Sequence, residues 1–431
     1  MAVVACGLNV NGQIIPEGPP LLCCPTPVGT KEGVCEVHIA CSHILWKTGA
    51  GWKITGYRNH DHNLEREMKH GWKQISASEK RIAAINNDGA VVLREKGRWR
   101  ELYFQRDVED SSVMTAVDSG NLGPSVQQVI DEDSHHLAER NCLGHHSKSR
   151  TKFSSVCVED NSLIALDEDG KTYSSGVPLP YGGNRIRAVQ LGKEHCLALT
   201  TDGVVLTWGS GMRGQLGNGE LCQTDRPEPV ESLQGITISS IACGGWHCVA
   251  LSTSGDAYAW GWNESGQLGF PAKENQEASI LGTFIHSCQC PKPAHKTNML
   301  HGDSKAVETS ADVQSREDQK AYPHRTESCK TDARINMGRA KDVVNVQTSP
   351  RLLDFWNEDM AIIDVKCGDR HTLYQLEDGS VWSSGMNKYG QLGLGDTAER
   401  NEPCLTPVTG VTAMYAGGWI SVFIGTGSSA R

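Results

Sequence analysis

The sequence is poor in long apolar runs. Only 38% of its 431 residues are hydrophobic, and no stretch approaches the ~18 apolar residues that a membrane-spanning helix needs. Aromatic residues are also few, and Trp, with 11 copies, is the commonest of them. A basic excess is missing: the formal charge is −10, which argues against a nucleic-acid-binding body and leaves room for basic partners. The opening "MAVVACGLNVNG" has no basic n-region and too short an apolar stretch for a secretory signal, so a nuclear or cytosolic protein is expected. In a reducing compartment the 16 cysteines are expected as free thiols. Gly-x-Ser-x-Gly, His-Glu-x-x-His and Gly-Lys-[Ser/Thr] do not occur in the contexts that would make them catalytic.

Glycine is what the chain has in plenty, 46 residues, and many of them fall at fixed offsets. Gly192, Gly244 and Gly368 are each followed three residues later by a histidine: His195, His247 and His371. A turn glycine follows (Gly203, Gly255, Gly379), then Trp208, Trp260 or Ser384 with Gly after it, then Gly-Gln-Leu-Gly beginning at Gly214, Gly266 and Gly390. Fainter copies lie at 43–56, 81–93 and 162–176. A last copy at 411–425 has only the first half of the pattern, and residues 5–14 supply the second half. "HCLALTT" and "HCVALST" alternate, Asp-Gly and Ser-Gly supply hairpin turns, and "VVLTW" and "DAYAW" follow. Four short strands per unit around an axis make a propeller blade. Unit starts near 34, 73, 153, 186, 238, 361 and 411 give seven. Pairing the first strands with the last would close the ring and leave no open edge. The expected fold is therefore an all-β, seven-bladed β-propeller.

The pattern GxxHxxAL…DGxVxxWGxNxxGQLGxG resembles the repeat of the regulator of chromosome condensation family, strongly in 186–269 and 362–408 and weakly before 150. The resemblance implies a seven-bladed propeller with this same circular closure. It is greatest to a small family member described as the partner of a JmjC-type histone demethylase. It implies a non-enzymatic nuclear scaffold that binds such a dioxygenase, reaches histones or chromatin through it and serves chromosome segregation, as a monomer with no cofactor of its own. The family's founder implies an alternative, guanine-nucleotide exchange on a Ran-type GTPase, but its exchange residues match no position here. Other binding or ubiquitin-ligase-associated roles are a third class.

Two polar segments interrupt the repeats, so the chain divides into propeller at 1–105, 151–270 and 343–431 and insertions at 106–150 and 271–342. Segments this polar are expected to be disordered. The second holds Cys288, Cys290, His295 and His301, a weak match to a zinc site. It also holds Lys320, Arg325, Lys330, Arg334, Arg339 and Lys341, the residues of a nuclear-localisation or nucleic-acid contact arm, or of a solvated loop.

The aligned histidines read as core residues, since they recur in separate blades without a partnered nucleophile. Cys243 and Cys367 alternate with Leu191 and Ala416 in the repeat and read as packing residues. Trp246 and Trp419 share one "GGW" slot, and Trp262 lies in a turn; these three are the candidate partner contacts. Gly209-x-Gly211-x-x-Gly214 has the spacing of a dinucleotide fingerprint. The partners of Gly211 in the other repeats are Asn9, Asn263 and Asn387, so the slot is expected to hold a left-handed backbone rather than a phosphate.

Overall fold

Each repeat unit folds as an antiparallel sheet whose strands are joined by the turns its glycines permit. A computed structural model describes residues 2–29, 33–56, 64, 71–104, 151–183, 185–270, 344–354 and 360–425. Blade 1 comprises Val34–Ile39, His43–Thr48 and Gly51–Gly56. Blade 2 comprises Gln74–Ala77, Arg81–Ile85, Val91–Glu95 and Arg98–Glu101. Blade 3 runs through Phe153–Val158, Leu163–Asp167, Thr172–Ser174 and Val177–Pro178. Blade 4 is made of Ile186–Leu191, His195–Thr200, Val205–Gly209 and Thr224–Pro229, and blade 5 of Ile238–Cys243, His247–Ser252, Ala257–Trp262 and Val346–Leu352. Blade 6 contains Ile362–Cys367, His371–Leu376, Val381–Gly385 and Arg400–Leu405. In blade 7, Val411–Gly417 and Ile420–Gly425 are joined by Ala2–Leu8 and Leu21–Pro27 from the other end of the chain.

The first strands touch in sequence from blade 1 to blade 7, and that of blade 7 touches that of blade 1, so the sheets close a ring. Closure runs through the register Ala2↔Gly425 to Gly7↔Ile420. Cys6, Phe423 and Met414 then pack with Leu373 and Val381 of blade 6, while Val3, Ala5 and Val422 pack with Ile44 and Trp46 of blade 1.

The second strands depart from the expected alternation. "HCLALT", "HCVALS" and "HTLYQL" are buried at every position. The reason is that each sheet is covered on both faces by its neighbours, so neither face meets water. The apolar filling lies in these seams. Trp260 is wholly buried between blades 4 and 5 with Leu197, Ile241 and Ala250. Blade 6 has Ser384 in place of Trp260, and there Tyr374 stands where blade 5 has Ala250 and reaches Ser384 Oγ at 3.4 Å. Large and small side chains have exchanged places at nearly constant volume.

Strand direction sorts the loops. The turns between first and second strands, and the loops between third and fourth, emerge on one face of the ring; the hairpins and blade-to-blade links emerge on the other. In blade 5 the described chain stops at Phe270 and resumes at Val344, on the first of these faces. In blades 2 and 3 it stops at Phe104 and resumes at Thr151, on the hairpin face. Among the described residues no helix is long and apolar enough to cross a membrane.

Candidate interaction face

The glycine fingerprint is a turn, with one correction. Left-handed backbone falls on Gly209 (φ +104°) and Gly214 (φ +73°), not on residue 211 or on Asn9, Asn263 and Asn387. The asparagines act through their amides. Asn387 Oδ1 accepts the Leu392 N–H at 2.9 Å, and its Nδ2 donates to the Asp396 carbonyl at 3.0 Å. Asn263 does more: its Nδ2 donates to the carbonyls of Phe270 (3.0 Å) and Val344 (2.7 Å), the two points where the described chain breaks. At residue 211 the Cys222 carbonyl occupies the space of a side chain.

The aligned histidines are braces between blades. The rings of His195, His247 and His371 lie against Gly192, Gly244 and Gly368, where any Cβ would overlap the imidazole. His247 Nε2 lies 2.9 Å from Thr372 Oγ1 in the next blade, and that hydroxyl donates to the Gln267 carbonyl at 2.7 Å. His371 Nε2 lies 3.0 Å from Ser421 Oγ, which donates to the Gln391 carbonyl at 2.7 Å. Because each hydroxyl spends its proton on a carbonyl, the ring must donate, and the Nε2–H tautomer is fixed. Burial pushes both His247 and His371 down to about 3, so both are neutral. Neutral rings in separate seams, each committed to one hydroxyl, are poorly placed for general base catalysis. His195 differs: its Nε2 faces two thiols, Cys248 at 3.1 Å and Cys243 at 3.2 Å. Every cysteine among the described residues is free.

The axis opens on the loop face into a cavity of about 160 Å³. The slot after the repeat glycine varies around the ring: Cys41, Glu79, Asp160, Lys193, Gly245, Asp369 and Gly418. Lys193 Nζ lies 3.3 Å from Glu159 Oε2 and 3.7 Å from Asp369 Oδ1. Burial raises both carboxyls above the usual range, and Lys193 only partly offsets it. Burial alone would lower Lys193, but the two carboxylates hold its ammonium well above the ordinary value. Lys193 thus bridges the two carboxyls across the mouth, and Arg370 adds a second cation beside Asp369.

Beside this mouth the face carries an aromatic and cationic patch. Trp246 and Trp262 meet edge-on, with centroids 5.5 Å apart. The Arg213 guanidinium lies 5.0 Å from the Trp246 ring and 5.2 Å from the Trp262 ring; Arg370 lies 4.2 Å from Trp262. Glu194 accepts from Trp246 Nε1 at 3.2 Å and pairs with Arg213 at 3.3 Å. Arg213 keeps 38% of its side chain exposed, and the adjacent Met212 is 63% exposed. Trp419 is two blades away, beside Tyr389 at 5.6 Å, so the three candidate tryptophans divide into a pair and a single residue. Repeat spacing points to the tryptophans; Arg370 stands in the slot of Trp246 and Trp419, and Arg213, Lys193 and Asp369 stand in slots whose residue varies among the blades. Cys288, Cys290, His295, His301 and the basic residues of 320–341 lie outside the described residues.

Comparison with known proteins agrees with the ring. The regulator of chromosome condensation (RCC1) repeat matches residues 202–251, 254–294 and 378–424, and a second form of it matches 186–215, 238–267 and 362–391. Mouse RCC1 domain-containing protein 1 is 34% identical over 220 residues, 51% of this chain and 49% of that protein. The chain thus spans about half the length of the curated relatives it matches. The solved structure of Prp20p from Saccharomyces cerevisiae, described with its binding to Gsp1p and histones, superposes with a TM-score of 0.62 at 16% identity, over 99% of this chain and 92% of that one. Human WBSCR16 gives 0.61 at 13% identity, over 99% and 100%. Repeats and ring together make the chain a seven-bladed β-propeller that carries RCC1 repeats over residues 186–294 and 362–424.

Proposed function

We propose that the protein is a non-enzymatic nuclear scaffold whose loop face binds a JmjC-type histone demethylase or hydroxylase, and that it supports chromatin regulation and chromosome segregation through that partner. The observation that carries the reading is the half-exposed Trp246–Arg213–Trp262 patch with Met212 and Arg370 beside it. Trp and Arg are the residues that most often anchor a protein interface, and here a rigid ring holds them. The partner class follows from the resemblance of residues 186–269 and 362–408 to the small family member noted above. Iron and 2-oxoglutarate belong to the partner, since the sequence offers no recognisable 2-His-1-carboxylate set. The histone contact of Prp20p supports a chromatin setting.

Nuclear extract passed over the immobilised full chain, and over a chain lacking 271–342, tests the reading. A JmjC protein retained by the full chain is expected; its absence from both columns removes the main support. Exchange on a Ran-type GTPase is the second reading, favoured by the likeness to Prp20p, a Gsp1p binder. Release of fluorescent GDP from such a GTPase, unaccelerated by the protein, eliminates it.

A further inference from the structure

The seam between blades 4 and 5 departs in chemistry from the two seams that follow it, although blade 4 also has a cysteine, Cys196, in the slot of Cys248. At the next two seams a histidine faces a hydroxyl, Thr372 or Ser421, that is 2.7 Å from its carbonyl acceptor. Here the corresponding residue is Cys248, and its thiol reaches the Gln215 carbonyl only at 3.5 Å. A thiol is the weaker brace, so the relay itself gives no reason for sulfur at this position. A second sulfur stands beside it. Cys243 and Cys248 are direct cross-strand partners on the first two strands of blade 5, so both side chains leave the sheet on the same side. That side meets His195 of blade 4, and the imidazole nitrogen and the two sulfurs all lie within 4.8 Å of one another.

We propose that His195, Cys243 and Cys248 form a metal site for one zinc-class ion between blades 4 and 5. One imidazole nitrogen and two thiolates are a donor set that zinc favours. A tetrahedral ion at about 2.0 Å from nitrogen and about 2.3 Å from sulfur sets N···S at about 3.5 Å. The observed 3.1 and 3.2 Å need to open by only a few tenths of an ångström. Cys243 also lines the axial cavity, which gives the ion a route in and leaves its fourth position to a solvent ligand. On binding, two S–H bonds break, two S–metal bonds form, both protons pass to solvent, and nothing is oxidised.

The protein supplies its own control variant. Cys243→Leu copies Leu191 and Cys248→Thr copies Thr372, so the double substitution restores groups that the other blades already hold. Zinc is titrated into the reduced, metal-free full chain against a chelating indicator. Wild type is expected to bind one equivalent more than the double variant, with release of about two additional protons. Equal stoichiometry overturns the site. A measurement on wild type alone stands beside it: zinc should slow alkylation of Cys243, read by peptide mass spectrometry, at least tenfold while leaving the exposed Cys35 unchanged. Equal slowing at both cysteines, or at neither, overturns it as well.

Discussion

A single contact, imidazole on glycine, accounts for the most regular spacing in the chain. His371 follows Gly368 by three positions because the turn folds the ring back onto the glycine. Gly368→Ala therefore forces a methyl group into the imidazole and is expected to cost about 1–3 kcal/mol in urea unfolding. Gly182→Ala, with open space around it, should be neutral within about 0.5 kcal/mol. The same burial makes the fold acid-sensitive. His247 and His371 are held down to about 3 when folded, against an ordinary 6.5. Between those values the unfolded chain takes up protons that the folded chain refuses, so stability falls as the pH falls through that window. The slope is about 1.4 kcal/mol per pH unit for each histidine that the unfolded chain has fully protonated. Urea midpoints from about pH 7 down to about pH 5 should drop steadily, and His371→Gln should flatten that drop. An identical slope in the variant would remove His371 from the account.

Among the elements, the strand at the start of the chain carries a disproportionate load, because it pairs the two ends of the chain within one sheet. Ala5 pairs with both Val422 and Thr26. Ala5→Pro removes a ladder donor from the interior of blade 7 and is expected to cost about 3 kcal/mol or more. Hydrogen exchange should show protection lost first in Ile420–Gly425 and Leu21–Pro27, with Ile186–Thr200 affected last; uniform loss would mean that the ring has no weak point at its closure. This closure was legible in the sequence because the half-pattern at 411–425 lacks what residues 5–14 supply. The seven unit starts were legible too, since turn glycines keep their spacing even where strand residues drift. Two things were not. The second strands look half-exposed by alternation, because one sequence does not reveal that a neighbour covers each face. The asparagine slot suggests backbone freedom, and only the fold shows that its amide ties two chain segments together.

At the scale of the whole molecule, pseudo-symmetry hides the functional face. Repeated slots announce the frame, whereas Lys193, Asp369, Arg213 and Arg370 sit in slots whose residue varies around the ring, Arg370 in the one that holds Trp in blades 5 and 7. The tryptophans were visible only because two of them share a slot. What the fold adds is that Trp246 and Trp262 share one patch around Arg213, on the face where the described residues of blade 5 stop at Phe270 and resume at Val344. The most direct test of partner binding there is quantitative affinity purification from nuclear extract with three full-length baits: wild type, Met212→Glu/Arg213→Glu on this face, and Val204→Glu on the hairpin face. The three substituted positions, Met212, Arg213 and Val204, are each more than a third exposed. Wild type and Val204→Glu should retain a JmjC-type dioxygenase, and the double variant should retain roughly tenfold less or none. Equal retention by all three baits, or loss only with Val204→Glu, would contradict the assignment of the loop face.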